Sequence, residues 1–134
     1  MPNTNAAPSG TIASAISGAT VALVREYTGR GPTRARTYIF EDLIAVVLKD
    51  TLTMGEKSLV RDGRADVVLA TRKAFQRTMG PRLIAAVEEH SGRVVKAFPS
   101  DSHISPDVAV ESFVLAPKNT GTTDIDKANV EFSA

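Results

Sequence analysis

Three groups of residues in this chain of 134 could do chemistry. The first is the turn Thr28-Gly29-Arg30-Gly31-Pro32 with the alternating arginines behind it, Arg34 and Arg36. Free backbone N–H groups at Gly29 and Gly31 and three guanidinium forks point to an anion or an acidic partner, because Arg pairs with two oxygens at once. Glu26 lies a turn back on the preceding helix and Glu41 at the far end of the strand, so no carboxylate in the stretch neutralises these charges. The segment lacks the Lys-Ser/Thr continuation of a phosphate loop and follows a helix instead of opening one. The second group is Asp101-Ser102-His103, with Asp107 close by and Glu111 across a hairpin. Asp101, His103 and Asp107 form a secondary candidate site, but two neighbouring ligands make only half of a zinc centre. A Ser-His-Asp hydrolase is also a poor match, since the three crowd one turn and there is no G-x-S-x-G elbow. The ordinary reading has Asp101 and Ser102 hydrogen-bonding the turn backbone. The third group is Arg34, Arg36, Tyr38 and Phe40, which share one face of a strand, with Lys96 and Phe98 further along the chain. They suit a basic-aromatic platform on which nucleic-acid bases stack. The competing reading puts Tyr38, Phe40, Phe98 and Phe113 in the core or in a dimer interface, because the chain has few aromatics to spare.

No nucleophile–base pair, phosphate loop or metal cluster of convincing spacing completes any of these groups, so the expectation is a protein that is not an enzyme and needs no cofactor or metal. Composition narrows the classes further. The length supports one ordinary domain. Without Cys there is neither a disulfide framework nor a thiolate metal site, which fits a reducing cytoplasm. No run approaches the roughly 18 apolar residues that span a bilayer, and the leader MPNTNAAPSG lacks the charge and apolar block of a signal peptide. The expectation is a cytoplasmic protein without membrane insertion. Residues 25–96 carry fourteen of the sixteen Lys and Arg but nine of the fifteen Asp and Glu, so the basic charge is concentrated there. That suits an anionic partner, or simply a solvated helical face.

Periodicity supplies the elements that must position these groups. Ile12, Ile16, Ala19, Leu23 and Tyr27 recur at three and four, predicting a helix from Thr11 that Gly29 and Gly31-Pro32 end. Residues 34–40 read as a strand, Glu41-Asp42 as a tight reversal and 43–49 as a second strand. Thr53 and Glu56 form a capping box for a short helix closing near Gly63. A long helix follows from about Ala65 to His90, with Val68, Phe75, Met79, Leu83 and Val87 as its apolar stripe; Pro81 inside it predicts a kink or a break. Residues 93–98 and 107–115 are the last two strands, joined by the turn PSDSHISP. The expected fold is therefore α+β: helix, two strands, two helices, two strands, with a mostly antiparallel four-stranded sheet. Residues 1–10 read as a disordered leader, 11–117 as the domain and 118–134 as a polar tail, whose Val130 and Phe132 offer a weak docking pattern.

The strands carry one further signal. Leu43, Ala45 and Val47 are apolar on one side of strand two, and Ile44, Val46 and Leu48 on the other. Val108, Val110 and Val114 oppose Ala109, Phe113 and Leu115 in the last strand. A sheet with one wet face should alternate apolar and polar. Either helices cover both faces or a second copy covers one, and the second option makes the chain a homodimer.

The strings YTGRGPTRARTYI, DTLTMGEKSLV, RKAFQRTM and AAVEEHSGRVVKAFPSDSHISPDVAVESFVL resemble the MpsC-like family of small prokaryotic domains, over roughly residues 11–117. The motifs that carry the resemblance are G-R-G-P, the Leu-Thr-x-x-Glu helix start and S-D-x-H-I-x-P-D. The family takes its name from a proposed sodium-translocating, membrane-potential-generating system, and it brings no catalytic residues to transfer. The resemblance implies a non-catalytic accessory or regulatory module, tied to ion or inorganic-carbon transport, that binds a small anion or a partner protein. It also implies a long helix that runs on, from which Gly80-Pro81 departs. The alternative is a nucleic-acid-binding module using the basic-aromatic strand.

Overall fold

The computed structural model describes residues 9–118, so the leader before Ser9 and the tail positions Val130 and Phe132 lie outside them. Three helices and five strands follow one another as α1 (Ser9–Thr28), β1 (Arg34–Phe40), β2 (Leu43–Lys49), α2 (Met54–Arg61), α3 (Ala65–Ser91), β3 (Val95–Ala97), β4 (Ser100–His103) and β5 (Val108–Leu115). The fold is α+β with an open antiparallel sheet in the order β1-β2-β5-β3, and β4 pairs with β5 beside β3. β1 and β2 form a hairpin closed by Glu41-Asp42, with Phe40 opposite Leu43 and Arg34 opposite Lys49.

Two expectations need correction. The sheet has five strands, because part of the PSDSHISP turn is strand β4. Its side chains toward the helices are Ser100 and Ser102, so it lacks the apolar alternation that betrays a strand in sequence. The second concerns Pro81, where the break offered as one of two expectations does not occur. Helix α3 runs through it unbroken for 27 residues. A residue before proline resists the helical conformation chiefly through its Cβ and N–H, and Gly80 has no Cβ. The Phe98 ring lies against the helix here, 3.4 Å from where a Cβ on Gly80 would stand. Val68 on one side of the proline and Leu83 and Val87 on the other are buried, and this packing holds the helix across the missing hydrogen bond.

Helices α1 and α3 pack on each other and on the same side of the sheet. Ile16, Leu23 and Val24 of α1 and Met79, Leu83 and Val87 of α3 meet Ile44, Val46 and Leu48 of β2 and Ala109, Phe113 and Leu115 of β5. Phe113 is fully buried and stacks on Phe98, with ring centroids 5.0 Å apart. The capping box of α2 is formed: Thr53 Oγ1 accepts from Glu56 N at 3.1 Å and Glu56 Oε1 accepts from Thr53 N at 2.8 Å. Among the described residues the other side of the sheet has no helix.

Candidate functional site: the uncovered face of the sheet

Strand alternation sorts the sequence-derived residues between the two faces. In β1 every odd member of RARTYIF (Arg34, Arg36, Tyr38, Phe40) is exposed and points away from the helices, while Ala35, Thr37 and Ile39 turn toward them. β2 sends Leu43, Ala45, Val47 and Lys49 to the uncovered face, and β5 sends Val108, Val110, Ser112 and Val114. β4 adds Asp101 and His103, which stand beside Val110 and Val108.

The register turns these into rows across the sheet. Arg34, Lys49, Val108 and His103 form the first row, and Arg36, Val47, Val110 and Asp101 the second. Tyr38, Ala45 and Ser112 form the third; Phe40, Leu43, Val114 and Ala97 form the fourth. One end of the face is thus basic and the other apolar. Tyr38 is 52 % exposed, Phe40 71 %, Leu43 41 % and Val114 38 %, a concentration of large apolar side chains that scattered surface residues do not produce. The Arg36 guanidinium lies 5.6 Å from the centre of the Tyr38 ring, a cation–π distance that orders both side chains. A cavity of about 600 Å³ runs over this corner between Arg34, Arg36, Tyr38, Val47 and Lys49. Among the described residues Arg34, Arg36, Lys49 and Asp101 make no ion pair.

The Gly29–Arg36 group is divided by this geometry. Arg30 turns to the β2–α2 connection, donating to Asp50 O at 2.7 Å, Leu52 O at 2.9 Å and Asp50 Oδ2 at 2.8 Å. The Arg30 hydrogen bond holds the Asp50 carboxyl below its ordinary range. Gly31 packs on α1, where a Cβ would come within 3.2 Å of the Arg25 guanidinium. Gly29 donates its N–H to Arg25 O at 2.8 Å and closes the helix. Arg34 and Arg36 alone reach the uncovered face.

Asp101 and His103 share the uncovered face of β4, whereas Asp107 turns to the β2–α2 connection. Asp101 Oδ1 accepts from Ser102 N at 2.9 Å, and His103 Nδ1 lies 2.9 Å from Pro106 O. Asp107 accepts from Thr51 Oγ1 at 2.8 Å and from Leu52 N at 3.0 Å, tying the start of β5 to the end of β2. The Phe98 part of the platform expectation is corrected as well: Phe98 stacks on Phe113 beneath the helices, on the opposite face from Tyr38 and Phe40, whereas Lys96 is exposed.

Sequence reasoning missed the buried polar layer between α3 and the sheet. Arg72 donates to Glu56 through Nε at 2.8 Å and Nη2 at 2.7 Å, and to Thr51 Oγ1 at 3.0 Å and Thr51 O at 2.6 Å. Burial pushes the Glu56 carboxyl up, but the bonds from Arg72 and Thr53 outweigh it and hold the carboxyl below its ordinary value. Glu111 is 2 % exposed, and burial raises its carboxyl above the ordinary value against opposing contacts from Ser100 and Gln76. The signal in the sequence was Arg72 and Gln76, one turn apart at positions continuing the apolar stripe of α3. Their polarity hid them.

A family model described as "Na+-translocating membrane potential-generating system (MpsC)" matches residues 9–117. The chain belongs to the MpsC family. That match spans nearly all the described residues, including every element and the whole uncovered face. No curated protein and no solved structure matches the chain. No described helix of this MpsC-family chain is long and apolar enough to cross a membrane.

Proposed function

We propose that this MpsC-family chain is a non-catalytic accessory module of an ion-translocating membrane system, and that it works by protein association through the uncovered sheet face, with a second copy as occupant. The family description supports the setting. The observation that carries the mode of action is the apolar end of the face, where Tyr38, Phe40, Leu43 and Val114 stand exposed together. Strands lie about 4.8 Å apart and side-chain rows about 6.6 Å apart, so four of each give about 500 Å² of plan area per copy. Two copies then bury about 1,000 Å², which meets the lower bound for a specific interface. Arg36, Tyr38 and Phe40, ranged along the outermost strand, are of the residue types that anchor interfaces.

Sedimentation equilibrium across micromolar concentrations tests this. The wild type should approach twice the chain mass as concentration rises through this range, and Phe40→Asp should stay at one chain mass with an unchanged circular dichroism spectrum. A monomeric wild type would remove the reading. The exposure of Arg34, Arg36, Tyr38 and Phe40 on one strand face supports nucleic acid as a second reading. It predicts affinity for a single-stranded oligonucleotide that falls steeply with salt through counterion release.

A further inference from the structure

Resting on the association reading above, we infer that the dimer closes about a two-fold axis parallel to the strands, between β2 and β5, and that Arg36 of each copy pairs with the partner's Asp101. The second row of the face carries the argument. It runs Arg36, Val47, Val110, Asp101, with the cation on the outermost strand at one side and the only carboxylate of the rows at the other. A two-fold axis lying in the interface along the strands exchanges the two sides of the sheet and leaves each row in place. It therefore sets Arg36 over the partner's Asp101 and Asp101 over the partner's Arg36, while Val47 meets the partner's Val110.

The fourth row fits the same operation by size. The exposed Phe40 falls over the partner's small Ala97, and Leu43 over the partner's Val114. The first row then lies at one rim, where the two Lys49 backbones stand about 11 Å apart across the sheets and the long side chains can turn outward to water. An axis across the strands serves the charges less well. It would place Arg36 over the partner's Tyr38 and leave both Asp101 carboxylates without a cation. Among the described residues neither Arg36 nor Asp101 makes an ion pair, which leaves both to a partner in this arrangement. Opposite charges at the two sides of a self-complementary face set register and reject misaligned copies.

Charge exchange tests the register, because the two single reversals complement each other. Arg36→Asp homodimers face four carboxylates in two like-charged pairs, and Asp101→Arg homodimers face four cations. A mixture of the two forms heterodimers in which both pairs are again opposite. In sedimentation or fluorescence-anisotropy dilution, each single variant should show a dissociation constant raised at least tenfold. The equimolar mixture and the Arg36→Asp/Asp101→Arg double variant should return to within about threefold of wild type. Circular dichroism melts establish that each variant folds. If a reversal unfolds the chain, Arg36→Gln, Asp101→Asn and their double provide the same coupling measurement. A dimeric wild type whose single variants are unaffected, or are weakened without rescue on mixing, overturns this register and leaves the association reading standing. A wild type that stays monomeric overturns both.

Discussion

Replacing Arg72 with Met should unfold much of the protein's margin of stability. The Arg72 side chain is 9 % exposed and the Glu56 side chain 13 %, and the two share bidentate bonds of 2.7 and 2.8 Å. Met fills similar space but leaves Glu56 charged and without its cation, next to the α2 cap. Removing one partner of a buried pair costs about 3–5 kcal/mol, against about 5–15 kcal/mol for a whole domain. Two further donors, to Thr51 Oγ1 and Thr51 O, are lost with it and loosen the join between β2 and α2. For a domain of this size each kcal/mol moves the melting temperature by about 4–5 °C, so a fall of about 12–25 °C is expected. Urea unfolding followed by circular dichroism gives the free energy directly, with an unchanged slope indicating that the folded state is intact. Adding Glu56→Gln, which keeps an acceptor for Thr53 N but carries no charge, should recover at least half of the loss. A single-variant loss below about 1 kcal/mol would show that water already solvates Glu56, and would refute the account of this layer.

Other perturbations separate the two faces and the two buried carboxyls. Val46→Asp places a charge in a fully buried site and should prevent folding, whereas Val110→Asp, half-buried on the uncovered face, should fold and remain monomeric; a Val110→Asp chain that dimerises would contradict the face assignment. Burial raises the Glu111 carboxyl above its ordinary 4.5, so the stability it contributes is fully present below pH 4.5 and is lost as pH rises through the folded value. Glu111→Gln should therefore melt with the wild type in acid and above it at neutral pH, and parallel melting curves across pH would refute this. Gly31→Ala should destabilise, because its Cβ would press on Val21 Cγ1 at 3.3 Å and the Arg25 side chain; an unchanged melting temperature would show that Arg25 moves aside freely.

The elements that announce themselves by period were legible in the sequence. Helix α1, the β1–β2 hairpin, the capping box at Thr53 and Glu56, and the apolar stripe of α3 all follow from spacing that one face of an element must show to the core. The doubly apolar β2 and β5 were legible too, and they pointed to a face that α1 and α3 leave open. Strand β4 was not, because Ser100 and Ser102 face a polar layer where no apolar residue is required. The span of α3 was legible, but the absence of a break at Pro81 was not, because it depends on the missing Cβ of Gly80 and on the packing either side. The candidate site was half legible: Arg34 and Arg36 stand on one surface, but Arg30 is spent on Asp50, which no spacing along the chain reveals. Asp101 joined Arg36 in one row only through the pairing of four strands.

Thiol labelling of Ser112→Cys tests most directly whether the uncovered face is covered in solution. The chain contains no other cysteine, the substitution is nearly isosteric, and Ser112 sits in the middle of the face on β5. Ser58→Cys on the exposed surface of α2 serves as the reference. The account predicts that labelling at position 112 slows as protein concentration rises through the micromolar range, while labelling at position 58 keeps one rate throughout. A rate at position 112 that does not change with concentration would contradict it.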